Sequence, residues 1–331
     1  MATTILQVLK NHKLPASPAA VSILPTLGMD FTKHGTPGRA LIHARYEDTL
    51  FLGGINGQAG LTGAAADCIW EPVFERCVFT VEHTADGKGE SKWGAIPYGM
   101  VRPTFIDCVF RDVTKEHGLY AHMLVGAKFI RCKFINIGAQ GIQAAERSAH
   151  HGGYETWDIE RQSLPQRMPG EIELIDCEVV NCGKPSGVGR ASFALTFFGP
   201  QSDDPAYPVP AMSAVGVTIT NTIIRHRDSI GGAMTFQKRP KAHIIGGDID
   251  YRTTGTNGAK PIIFFNRSKN MLLKDQRVRI GKIDLLDCPA GQLTISNCLG
   301  QAVVRKGTTG PTGSVKYITI GTLDALQNAV I

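Results

Sequence analysis

Charge is scarce in this chain. Asp, Glu, Lys and Arg make up 19% of 331 residues, and the formal balance is +6. No dense Lys/Arg run appears, which argues against a nucleic-acid groove, while the mild positive balance permits an acidic partner such as an anionic surface polysaccharide. Long apolar runs are missing too. Nothing approaches the roughly 18 residues of a membrane span. The opening Met1-Ala2-Thr3-Thr4-Ile5-Leu6-Gln7-Val8-Leu9-Lys10 lacks the charged start and apolar stretch of a secretory leader. A chain made in the cytoplasm, without signal peptide or transmembrane segment, is expected. The eight cysteines contain no Cys-x-x-Cys spacing, so no zinc or other metal site is expected. His150 and His151 are adjacent and would point to opposite faces of a strand, so they do not make a shared ligand pair. Gly53-Gly54-Ile55-Asn56-Gly57 lacks the Lys-Ser/Thr of a phosphate loop, and no cofactor is expected.

A repeat is what the chain has. It reads Phe74-Glu75-Arg76-Cys77-Val78-Phe79, then Phe105-Ile106-Asp107-Cys108-Val109-Phe110, then Phe129-Ile130-Arg131-Cys132-Lys133-Phe134. Leu174-Ile175-Asp176-Cys177-Glu178-Val179 is a softer copy, and degenerate ones run over 219–223 and 295–298. The step from Cys108 to Cys132 is 24 residues, close to one coil of a parallel β-solenoid. The other steps, 31 and 45, fit one coil plus an inserted loop. The repeated cysteines, set between aromatic and aliphatic residues, read as an inward stack of reduced thiols.

A second short strand follows each copy. Alternation places Leu119, Ala121, Ile142, Ala144, Phe193, Leu195, Met234 and Phe236 inside. Tyr120, His122, Gln143, Thr196, Thr235 and Gln237 then share an outward ridge. Asn136-Ile137-Gly138 and Asn181-Cys182-Gly183 suit tight left-handed corners. Phe197-Phe198 and Phe264-Phe265 each place one ring outward.

These motifs resemble the right-handed parallel β-helix family over roughly residues 67–305. That family includes pectate-lyase-like enzymes, phage tailspikes and other virion surface proteins. The resemblance implies an all-β, right-handed parallel β-helix. Residues 1–66 would form an N-terminal arm and cap, with a short helix over Ile5 to Lys13 and an extended arm carrying Leu14, Pro15, Pro18 and Pro25. Residues 306–331 would form a C-terminal cap, with a last strand and a helical turn over Leu323 to Val330. No catalytic signature of the family accompanies the fold, and the Asp-rich opening of many of its enzymes is absent.

Insertions near 145–171 and 199–212 interrupt the coils, and long loops on a rigid scaffold are where function concentrates. Glycoside hydrolysis would need a carboxylate pair. Glu155, Asp158, Asp203 and Asp204 are the candidates, although Asp203-Asp204-Pro205 is also ordinary turn chemistry. Lyase chemistry would look to His117, His122, Arg147 or Arg161 beside a uronate. Tyr120, His122, Gln143, Tyr154, Trp157 and Tyr207 are candidates for carbohydrate or partner binding. The loop aromatics among them serve equally well to pack the insertions against the wall. The sequence points first to a non-enzymatic assembly protein of a phage virion surface, a capsid decoration or cement or a tail-associated component. It would be a homotrimer with another structural protein as partner. A polysaccharide depolymerase or a carbohydrate-binding β-helix is the alternative.

Overall fold

The computed structural model describes residues 5, 7–13, 41–42, 45–56, 69–70, 72–81, 100–101, 103–122, 126–145, 171–183, 193–198, 216–229, 231–253 and 261–331. Among them every regular element is a β-strand, and the coils stack into a parallel β-helix. Each coil crosses three walls. The base sheet runs from Arg45–Glu47 through Val73–Glu75, Thr104–Ile106, Ala127–Ile130 and Glu171–Ile175 up to Leu293–Ser296. The front sheet runs from Gln7–Lys13 through Thr49–Asn56, Val78–Thr80, Val109–Arg111 and Lys133–Ile137 up to Asp248–Thr253. The ridge sheet takes Leu119–His122, Ile142–Ala145, Leu195–Phe198, Met234–Gln237 and Ile263–Asn266. The long strands Arg277–Leu286 and Leu299–Thr309 turn the corner between front and ridge, joining the two walls into one hydrogen-bonded sheet.

The six-residue motif is a corner with its two flanking strand ends. Its third position adopts a left-handed backbone in coil after coil: Asp48, Arg76, Asp107, Arg131, Asp176, Asn221, Asp275 and Asn297 all have φ between 47° and 53°. Asn221 and Asn297 suit that conformation through their short side chains. Aspartate does so as well, whereas each arginine is held there by the coils above and below it. The expected corners at Asn136 and Asn181 are present, with φ of 54° and 53°. Gly183 follows with φ 86°, and a Cβ there would stand 2.4 Å from the Tyr251 hydroxyl, which donates to the Cys182 carbonyl.

The cysteine at the fourth position turns inward and donates back to the coil before it. Cys108 Sγ reaches the Phe74 carbonyl at 3.3 Å, Cys132 the Phe105 carbonyl at 3.3 Å and Cys177 the Phe129 carbonyl at 3.4 Å. The seven described cysteines are free and buried. Burial pushes the Cys182 thiol up to about 12. Because all seven are buried, native protein treated with an aromatic disulfide reagent at pH 8 should leave them unmodified, and urea should release them. Rapid labelling of any of the seven without denaturant would contradict the stack.

The aromatic positions build two columns through the core. Tyr46, Phe74, Phe105 and Phe129 stack at 4.9–5.1 Å between centroids along one column. Phe51, Phe79, Phe110 and Phe134 do so at 4.5–4.9 Å along the other. A third column, Phe197, Phe236 and Phe265, lines the ridge wall at 5.3–5.4 Å.

Several expectations are corrected. Gln7–Lys13 is a strand paired in parallel with Thr49–Asn56, not a helix. The edge of the sheet satisfies its backbone, and that tertiary pairing overrides local helix preference. The stack also begins earlier than residue 67. Tyr46-Glu47-Asp48-Thr49-Leu50-Phe51 sits in register with Phe74 to Phe79, with buried Thr49 in the cysteine position. Phe193 precedes its strand and is half-buried, stacked on Phe264 at 6.2 Å, while Phe197 takes the inner place because Leu195 pairs with Ile142. At the C-terminus the helical turn expected over Leu323 to Val330 is confined to its start, where the Ala325 and Leu326 amides donate to the Thr322 carbonyl at 3.1 and 3.0 Å. Buried Leu323 anchors a run of turns, Asn328 reverses the chain at φ 58°, and Ala329–Val330 pairs antiparallel with the base sheet. The Pro-rich arm residues Leu14, Pro15, Pro18 and Pro25 lie outside the described residues.

Candidate functional site

The ridge sheet aligns one outward residue per coil: Tyr120, Gln143, Thr196, Thr235, Phe264, Asp284 and Arg305 are successive register partners. Parallel strands lie about 4.8 Å apart, so the column is a straight row. It is not an open groove along its length. Tyr120, Gln143 and Phe264 are half-buried, but Thr196 and Thr235 are 1% exposed and their hydroxyls have no partner among the described residues. Of the paired phenylalanines, Phe198 and Phe264 are the outward rings, and they fall on neighbouring columns.

At the start of the row His117 stacks on Tyr120 with ring centroids 4.8 Å apart. The imidazole is 8% exposed, and burial brings its pKa down from 6.5 to about 4. The neighbouring Gln140 favours the protonated ring, but burial outweighs it; Glu116 lies 3.3 Å from Nε2. In the unfolded chain the ring titrates near 6.5. The unfolded state therefore binds the extra proton between about pH 6.5 and pH 4, and stability falls as pH drops through that window. Comparing urea midpoints of wild type and His117→Gln should reveal a difference on the order of 2–3 kcal/mol that builds up across that range as pH falls and persists below it. Parallel pH profiles for the two proteins would refute this role for His117.

At the far end Asp284, 1% exposed, accepts from Arg305 Nε at 2.7 Å, and the other carboxylate oxygen takes a second guanidinium nitrogen. The Arg305 guanidinium also lies over the Tyr317 ring, 4.5 Å from its centroid. This fully engaged pair locks the last coils together and offers no free carboxylate to a substrate.

The sequence candidates divide sharply. Tyr120, His122 and Gln143 lie on the ridge sheet, with Tyr120 opposite Gln143 and His122 one column over. Tyr154, Glu155, Trp157, Asp158, Asp203, Asp204 and Tyr207 lie outside the described residues, as do Trp93, Arg147 and Arg161. Among the described residues no three of His, Cys, Asp and Glu gather as a metal site, and no helix is long and apolar enough to cross a membrane.

Two surface features went unread in the sequence. Ile106, Ile130, Ile175, Thr220 and Ile245 are register partners on the outer side of the base sheet, a lateral apolar stripe of half-buried side chains. Their spacing signals an outward column once the corner residue beside each is recognised. The other feature is at the ends. All the exposed large hydrophobics of the described residues, Ile5, Val8, Leu299, Val315, Ile318, Ile320 and Val330, belong to the first strand region or to the last coil and its cap.

No family model matches the chain, and no curated protein matches it. A solved structure to which it is similar is Geobacillus virus E2 ORF18, at 10% identity and a TM-score of 0.36, over 89% of this chain. The chain spans 64% of that protein's length, and a likeness at that score carries no argument about activity.

Proposed function

We propose that this protein is a non-enzymatic structural component of a phage virion surface, a decoration, cement or tail-associated rod that works by contact. The observation that carries the reading is the placement of exposed apolar side chains at the two ends of a rigid stack whose interior is packed throughout. Such residues are costly in water and gain when covered, by about 25 cal/mol per Å² before ordering costs. The virion setting comes with the resemblance of the repeat to virion β-helices, and a capsid or tail protein is the partner this implies.

The isoleucine stripe supports a homotrimer. A solenoid with one apolar wall buries it by packing three copies around an axis, with the charged corner residues at the rim. Native mass measurement should give three times the 35.7 kDa chain. Ile130→Arg with Ile175→Arg should give folded monomer, and wild type that is monomeric at micromolar concentration removes the trimer. The absence of cleavage is tested separately. The full-length protein incubated with acidic and neutral bacterial surface polysaccharides should release no new reducing ends. Cleavage of any one of them would replace this reading with a depolymerase whose carboxylates lie in the insertions.

A further inference from the structure

The C-terminal end of the stack is built to accept a strand. The ridge sheet finishes on Val315–Thr322, which pairs antiparallel with Leu299–Thr309 on one side and, among the described residues, with no strand on the other. An open edge leaves a row of backbone donors and acceptors unpaired, and short edges of this kind template a further strand. Ile318 sits opposite Lys306, which in turn sits opposite the core residue Leu285. It therefore continues an interior column past the last coil, and there it is 67% exposed, with Ile320 at the bulge of the same strand 38% exposed.

Charge identifies the occupant. Residues 225–331 hold 16 Lys and Arg against 7 Asp and Glu, whereas residues 1–224 hold 19 against 22. Lys282, Lys306 and Lys316 belong to the terminal strands of this sheet and have no ion-pair partner among the described residues. A second copy joined through this same end would bring two cationic ends together, and one joined head to tail would offer Gln7–Lys13, which carries Lys10 and Lys13 and no carboxylate, so like charges repel in either case. A lipid surface would leave the strand edge without hydrogen-bond partners. A strand from another protein with acidic flanks satisfies the edge, the isoleucines and the lysines at once.

We propose that Val315–Thr322 is a β-augmentation edge that takes a strand from a different protein. That strand would place an apolar centre against Ile318 and Ile320 and an acidic flank against Lys316, with Lys306 on the same face one strand in. The inference rests on the assembly reading in treating this end as an attachment point. Its test needs neither a virion nor a trimer, so it can fail while that reading stands.

The test uses three fluorescein-labelled decapeptides and the full-length protein, followed by anisotropy. One peptide has a Val/Thr centre with Glu at both ends (Val/Glu), one has the same centre with Lys at both ends (Val/Lys), and the third is the Val/Glu peptide N-methylated at alternate residues. The Val/Glu peptide should bind about tenfold or more tightly than either of the others. Ile318→Asp with Ile320→Asp should lose that binding at an unchanged melting temperature. Should that variant misfold, Lys316→Glu at an exposed position should shift preference toward the Val/Lys peptide. Equal binding of the N-methylated peptide, or no saturable binding of the Val/Glu peptide, would overturn the proposal. Self-association of wild type that disappears in the double aspartate variant would make a second copy the occupant. Binding to phosphatidylserine vesicles that disappears in the same way would make the occupant a lipid surface.

Discussion

Phe105→Ala is expected to destabilise the protein by about 3–5 kcal/mol, the range for emptying a large buried aromatic site. Phe105 is 1% exposed and touches four other rings. It stacks on Phe74 and Phe129, each at 4.9 Å, and meets Phe79 and Phe110 edge-on at 5.9 and 5.6 Å. Each such pair adds roughly 0.5–1.5 kcal/mol beyond area burial, and the coils on either side cannot close the gap without moving their own rings. Phe105→Leu keeps most of the volume and should cost nearer 1.5 kcal/mol. The two are compared by urea unfolding. Because each coil touches only its neighbours, the damage should also be local. Amide exchange should rise first in Thr104–Ile106, Val109–Arg111 and the coils directly above and below. A loss for Phe105→Ala no larger than for Phe105→Leu would mean the columns are ornamental to stability.

Asp284→Ala should cost about 2–4 kcal/mol, because it leaves the Arg305 guanidinium facing a site built to neutralise it. The side chain of Arg305 keeps 22% exposure and recovers some hydration, which holds the loss below the top of the range for a buried pair. The informative partner is the double variant Asp284→Leu/Arg305→Met. Replacing both charges with apolar groups of similar size is often neutral or better, so the double should be more stable than Asp284→Ala alone. A double variant at least as unstable as the single would show that the pair does more than balance its own charges.

The parts of this fold that were legible in the sequence are those where one side chain does one job in every coil. The Phe-x-x-Cys-x-Phe copies announced themselves because both rings and the thiol point into a narrow core that admits few alternatives. The copy at Tyr46, Thr49 and Phe51 was hidden because tyrosine and threonine fill the same places as phenylalanine and cysteine without looking like them. Gln7–Lys13 reads locally as the start of a helix, and only the edge of Thr49–Asn56, some forty positions away, makes it a strand. Phe193 falls outside the core although Leu195 is inside it, because the strand begins two positions after Phe193 and period-2 alternation alone does not fix where a strand begins. The site was less legible than the fold. Tyr120 and Gln143 were rightly placed on one row. The burial of Thr196 and Thr235 depends on packing over the sheet, which alternation does not encode.

The corner ladder has a consequence for how such a protein can change its length. Asp48, Arg76, Asp107, Arg131 and Asp176 occupy the same corner in five consecutive coils with alternating sign. Arg76 grips Asp48 through two bonds at 2.7 and 2.9 Å, and Arg131 grips Asp107 at 2.8 and 2.7 Å. The Arg131 guanidinium holds the Asp107 carboxyl below its usual range, and Arg76 adds to the effect from the other side. Deleting one coil from this stretch would set Asp against Asp or Arg against Arg, and duplicating one would do the same. Deleting or duplicating two restores the alternation. Growth and shrinkage of the rod in this region is thus easier in even steps, a parity rule written in charge rather than in shape.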